Sequence, residues 1–111
     1  GYKPSDAGHA PYSASKFGLI GLSKSTAIDY GQQGIRVNVV CPGFTHSEMV
    51  DPLADSMPDL MGAFLNRYSA QKRLGDAEEV AEAIAWLCSD ASRFVSGAVL
   101  AVDGGGTSRM Y

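Results

Sequence analysis

Ile35-Arg36-Val37-Asn38-Val39-Val40-Cys41 is rich in β-branched residues and is cut off by Pro42-Gly43. Such residues suit a pleated strand, and a Pro-Gly pair does not continue a ladder. The stretch predicts a strand over 35–41. A second apolar run, Ala98-Val99-Leu100-Ala101-Val102, follows Gly97 and stops at Asp103-Gly104-Gly105-Gly106. It predicts a strand over 98–102. The residues between the two runs read as helical, and a strand, a helical crossover and a strand of this length imply parallel strands joined in a right-handed sense. The fold class is α/β. A complete dinucleotide-binding sheet needs two βαβαβ halves, and 111 residues hold about one. Residues 1–111 therefore read as one partial α/β domain.

Outward from the first strand, residues 1–9 are polar and turn-rich. A helical pattern covers 10–30 through Tyr12, Lys16, Phe17, Leu19, Ile20, Leu22 and Ile28. Its apolar residues occupy more than one stripe, which predicts a helix burying two faces. Gly31 or Gly34 ends it. Residues 44–72 are Met-rich and interrupted by Pro52 and Pro58, and predict short helices around 47–56 and 59–69. Asp76 reads as an N-cap, with Glu79 three residues on completing a capping box. Val80, Ile84, Leu87 and Cys88 then mark the buried stripe of a helix over 77–89.

Composition excludes several function classes. A chain that is 45% hydrophobic with a net charge of −3 is globular rather than disordered. No basic run offers a footprint for nucleic acid or an anionic membrane. No apolar run reaches the length of a membrane span, and no signal segment opens the chain. Cys41 and Cys88 read as buried thiols of a reducing, cytoplasmic compartment. His9 and His46 are isolated, so no zinc spacing exists and no metal is expected. The start, Gly1-Tyr2-Lys3-Pro4, lacks an initiator Met, as in a fragment or a processed product.

Tyr12-Ser13-Ala14-Ser15-Lys16 puts a phenol and an ammonium at i and i+4 on one helix face. A phenol titrates near pH ~10 and is a poor base at neutrality, but a neighbouring cation favours the phenolate. The pair then suits proton exchange with an alcohol or carbonyl oxygen. The spacing alone is equally that of an exposed helix-face pair.

Its neighbours narrow the choice. Tyr12-Ser-Ala-Ser-Lys16-Phe-Gly, Gly34-Ile-Arg36-Val-Asn38-Val-Val-Cys-Pro42-Gly43, Arg73-Leu-Gly75-Asp76 and Val102-Asp103-Gly104-Gly105 follow in this order. Together they resemble the C-terminal half of the short-chain dehydrogenase/reductase family, over essentially the whole chain. The resemblance implies that residues 1–111 are the C-terminal half of a Rossmann-type, doubly wound parallel sheet that binds NAD or NADP, and it implies an alcohol/carbonyl substrate. It assigns the catalytic acid/base to Tyr12 and the ribose-holding, pKa-lowering lysine to Lys16. Pro42, Gly43 and Thr45 match the segment lining the nicotinamide. Ser47 stands where the family usually has a Thr that contacts the carboxamide. Residues 46–72 match the variable substrate lid. The family's Gly-rich phosphate loop has no counterpart here, and Ser5 lies too close to Tyr12 to match the family's catalytic Ser.

Other residues carry plainer readings. His46 is an exposed loop histidine or, lying between two expected nicotinamide contacts, a substrate contact. Met49, Met57 and Met61 with Leu53, Leu60 and Phe64 either line an apolar substrate pocket or pack the lid helices together. Trp86 reads as structural, Asp103 as structural or a subunit contact, and Asn38 as a hydrogen-bonding strand residue. Two functions of different class follow. One is an NAD(P)-dependent oxidoreductase that needs an N-terminal half, so that this chain alone is inactive. The other is a non-catalytic half-domain that self-associates through the bare edge of strand 35–41 or through helix 10–30. Both imply a homo-oligomer.

Overall fold

The computed structural model describes the backbone of residues 9–110 and the side chains of residues 14–108. Residues 1–8, expected to be turn-rich, and Ser5 among them, lie outside the described residues, as does the side chain of Tyr12. The order is α1 (His9–Tyr30), β1 (Val39–Pro42), α2 (Val50–Ser56), α3 (Pro58–Tyr68), α4 (Ala77–Leu87) and β2 (Val99–Val102). Short 3-10 turns cover Gly31–Gln33, Asp90–Ser92 and Gly106–Met110. β1 and β2 form a two-stranded sheet. The Val39 amide donates to the Ala98 carbonyl at 2.9 Å and the Gly43 amide to the Val102 carbonyl at 3.0 Å. Both partners advance together along the chain, so the pairing is parallel. The fold class is α/β.

β1 begins at Val39, four positions later than the residue pattern suggests, and the cause is Asn38. Its Oδ1 accepts the Ala98 amide at 3.0 Å and its Nδ2 donates to the Val95 carbonyl at 3.0 Å. The side-chain amide thus stands in for a peptide group, and the regular ladder starts only after it.

The chain divides into two compact units, one running through Val39 and including Phe94–Val99, the other Val40–Arg93 with the residues from Leu100 onward. In the first unit α1 runs into the 3-10 turn Gly31–Gln33, which ends where Gly34 adopts φ +78°, a left-handed conformation that glycine takes without steric cost. Lys24 Nζ donates to the Gly97 carbonyl at 2.8 Å, and Arg36 Nη1 to that of Val95 at 3.1 Å. α1 was expected to bury two faces, but Phe17, Leu22 and Ile28 are 70%, 67% and 81% exposed. Periodicity shows which faces of a helix are apolar and not whether anything covers them.

In the second unit Glu79 Oε1 accepts the Asp76 amide at 2.9 Å within a capping box that starts α4. At the other end Ser92, 1% exposed, puts its Oγ within reach of the carbonyls of Trp86, Leu87 and Ser89, where a helix leaves acceptors unpaired. Of the expected buried stripe only Leu87 is buried, at 8%, while Ile84 is 46% exposed. Cys88, expected to be buried, is exposed, because it follows the last helical residue and leaves the inward position to Leu87. The rings of Phe44, Phe64 and Tyr68 lie 5.9–6.0 Å apart by centroid and fasten α3 to the segment after β1.

Candidate active site

Pro42, the last residue of β1, and Gly43, Thr45 and Ser47 just beyond it lie along one stretch of the second unit. Two sets of hydrogen bonds fix its course. Gly43 is held by its amide bond to Val102, and a Cβ there would meet Asp103 Cα and Cβ at 2.8 Å. The glycine is thus required by the strand end beside it. Beyond it Thr45 pairs in parallel with Gly75: the Gly75 amide donates to the Phe44 carbonyl at 2.9 Å, and the His46 amide to the Gly75 carbonyl at 2.8 Å. This brings the Arg73-Leu-Gly-Asp76 motif against the segment.

The two hydroxyls have complementary capacity. Thr45 Oγ1 donates to the Gly43 carbonyl at 3.0 Å, which leaves its lone pairs as acceptors. Ser47 Oγ accepts the Val50 amide at 3.0 Å, which leaves its O–H as a donor. Between them His46 Nδ1 meets Asp51 Oδ1 at 2.6 Å, both side chains about half exposed. The hydrogen bond from this ring to Asp51 raises the His46 pKa above 6.5.

Lys16 lies on α1 in the first unit and is half-buried. Tyr12 lies one helical turn before it on the same helix, in backbone register i, i+4.

Three sets of contacts escape sequence reasoning. Arg73 grips Glu79 through two parallel bonds, Nη1 to Oε1 at 2.7 Å and Nη2 to Oε2 at 2.9 Å. That clamp, with the Asp76 amide, holds the Glu79 pKa down to about 2. Thr107 donates its hydroxyl to Asp103 Oδ2 at 2.7 Å and its amide to the same atom at 3.0 Å, while the Gly105 amide donates to Oδ1 at 3.0 Å. Burial opposes the Asp103 charge, but these bonds outweigh it and the pKa is lowered. The Asp-Gly-Gly-Gly-Thr spacing was the available signal for this turn. Ser69, 4% exposed, accepts the Lys72 amide at 3.1 Å. A cavity of about 290 Å³ lies among Ser69, Arg73, Glu79 and Asp103. None of Pro42, Gly43, Thr45 or Ser47 lines it. Among the described residues no cluster could hold a metal ion, and no helix is long and apolar enough to cross a membrane.

The chain is similar to known proteins. A family model described as Enoyl-(Acyl carrier protein) reductase matches residues 5–107. The A-factor type gamma-butyrolactone 1'-reductase (1S-forming) of Streptomyces virginiae is 48% identical over 98 residues, 88% of this chain and 38% of that protein. The cis-4-hydroxycyclohexanecarboxylate dehydrogenase of Sinomonas cyclohexanicum is 46% identical over 102 residues, 92% and 39% of the two chains. A solved structure of 4-hydroxyisoleucine dehydrogenase complexed with NADH superposes with a TM-score of 0.80 at 35% identity, over 89% of this chain and 40% of that one. The chain spans about two fifths of the length of these relatives. Its parallel strands, its Tyr12-x-x-x-Lys16 helix and its four ordered motifs have one common explanation: the chain belongs to the short-chain dehydrogenase/reductase family.

Proposed function

We propose that the chain carries the proton-transfer and nicotinamide-facing half of an NAD- or NADP-dependent oxidoreductase acting on an alcohol/carbonyl pair. The observation that carries this reading is family membership together with Tyr12 and Lys16 one turn apart on α1. Tyr12 exchanges the proton on the substrate oxygen, and the Lys16 ammonium favours its phenolate and donates to the ribose. The site residues fit the cofactor: a carboxamide needs one acceptor and one donor, and Thr45 and Ser47 keep one of each. Bound nicotinamide supplies the hydride chemistry. Pro42 and Gly43 line its ring, and the exposed Met49, Leu53, Met57 and Leu60 offer apolar surface to the substrate's carbon skeleton.

No Gly-rich phosphate loop occurs in these 111 residues, so the pyrophosphate and adenosine are held by sequence outside them, and the chain alone is inactive. The setting is a reducing cytoplasm, with Cys41 and Cys88 as free thiols. The test measures nicotinamide absorbance for the chain alone and for the chain joined to upstream sequence bearing such a loop, with small alcohols and ketones. Turnover by the longer protein only is expected. Turnover by the 111 residues alone overturns the requirement for a second half, and absence of cofactor binding and turnover in both overturns the reading.

A second reading, a self-associating module, is favoured by the open apolar residues of α1, Phe17, Leu22 and Ile28. Its occupant is a second copy of the chain. A monodisperse monomer in light scattering contradicts it.

A further inference from the structure

We propose that His46 is a pH-sensitive positioning residue that fixes α2, the first helix of the substrate lid, against the nicotinamide-facing segment. The inference rests on the proposed oxidoreductase reading for the identity of that lid. Its basis is the way four bonds converge. The His46 amide is tied to the Gly75 carbonyl at 2.8 Å, so the backbone at this position is held from one side. From the other side the Asp51 side chain, in the first turn of α2, meets His46 Nδ1 at 2.6 Å. The next residue, Ser47, accepts the Val50 amide through its hydroxyl and the Asp51 amide through its carbonyl, at 3.0 and 2.9 Å. α2 is seven residues long, far below the length at which a helix holds itself in water. Its position is therefore set by what holds it, the packing on α3 and the attachment to this segment, and His46 is the titrating member of the attachment.

A carboxylate only accepts, so Nδ1 carries the proton in this contact. Below the raised His46 pKa the ring is also cationic, and the bond is charge-assisted. Above it a neutral Nδ1–H tautomer still donates, but without the charge. The charged groups acting on the ring are Asp51 on α2 and Asp76 beside the bridging Gly75, and both favour the imidazolium. The sign follows. The histidine pKa is raised in the folded protein, so the attachment is whole below 6.5 and weakens as pH rises through the elevated value. A looser α2 affects substrate retention more than the chemical step, so the consequence falls on KM.

Two measurements on the protein that carries this chain test the proposal. The first is an NMR titration of the His46 ring. A midpoint above 6.5 that returns to the ordinary histidine value in Asp51→Asn is expected, and an ordinary midpoint, or one indifferent to Asp51→Asn, overturns the proposal. The second is the pH profile of KM and kcat. KM is expected to rise about two- to fivefold as pH passes that midpoint, the range of an exposed ion pair, with kcat following a different group. His46→Asn, which keeps a donor near Nδ1 but does not titrate, flattens the KM profile, whereas His46→Ala raises KM at every pH. A KM profile unchanged in His46→Asn overturns the proposal and leaves the role of Tyr12 standing. Conversely, turnover retained by Tyr12→Phe removes the oxidoreductase reading and leaves the ring titration intact.

Discussion

Asn38→Ala removes the side chain that begins the pairing of β1 with β2. Two bonds of 3.0 Å are lost, one donated to the Val95 carbonyl and one accepted from the Ala98 amide. The outcomes for the two partners differ. The Val95 carbonyl keeps Arg36 Nη1 at 3.1 Å, so its loss is a single net hydrogen bond of about 1 kcal/mol. The Ala98 amide loses its partner in a half-buried position, and an orphaned donor there costs about 1–2 kcal/mol more, the lower part of the usual range. Asn38→Ala should therefore destabilise by roughly 2–3 kcal/mol. Asn38→Asp sharpens the test. Its carboxylate still accepts from Ala98 but sets an oxygen against the Val95 carbonyl, and only the protonated form donates there. Asn38→Asp should therefore be less destabilising in acid, where the protonated side chain can again donate to Val95, than at neutral pH. Urea unfolding gives the free energies, and hydrogen exchange at the Ala98 amide reports the orphan directly. Asn38→Ala within about 0.5 kcal/mol of the parent, the range of a neutral surface change, with unaltered Ala98 exchange, refutes the reasoning.

Gly43→Ala sets a Cβ 2.8 Å from Asp103 Cα and Cβ, neither of which yields without backbone movement. Overpacking of this kind costs about 1–3 kcal/mol, so a thermal melt unchanged from the parent counts against the close approach. Glu79 should remain charged down to about 2, against 4.5 for an unperturbed carboxyl. Its folded pKa is depressed, so the Arg73 clamp contributes fully above 4.5 and is lost as pH falls toward 2. A carbon NMR titration checks this, and Arg73→Gln should move the midpoint up toward the ordinary range.

What could be read from the sequence was local. Asp76 and Glu79 announce a helix start within four residues, and Pro42-Gly43 marks a strand end, because the partners of these signals are near neighbours. The start of β1 was not legible, since it depends on Asn38 meeting residues 95–98 from far along the chain. Arg73 was visible as part of a motif, but its hold on Glu79 needs the turn at Gly75 and Asp76 to bring the two together. Burial was the least legible property. Ile84, Cys88 and the apolar residues of α1 show the right period, yet a two-stranded sheet offers little to cover them. Only the register of Tyr12 and Lys16, one turn apart on α1, was legible, because helical spacing decides it. The tie of His46 to Asp51 was not, because it forms only once the backbone turns into α2.

The central claim is that Tyr12 is the proton-transfer group, and Tyr12→Phe in the cofactor-loaded protein that carries this chain tests it most directly. The substitution removes one hydroxyl. Turnover of an alcohol/carbonyl pair should fall roughly 10²- to 10⁴-fold, the usual contribution of general acid–base catalysis, while nicotinamide cofactor binding, measured by fluorescence, persists. Turnover within a few-fold of the parent, with cofactor still bound, contradicts the account.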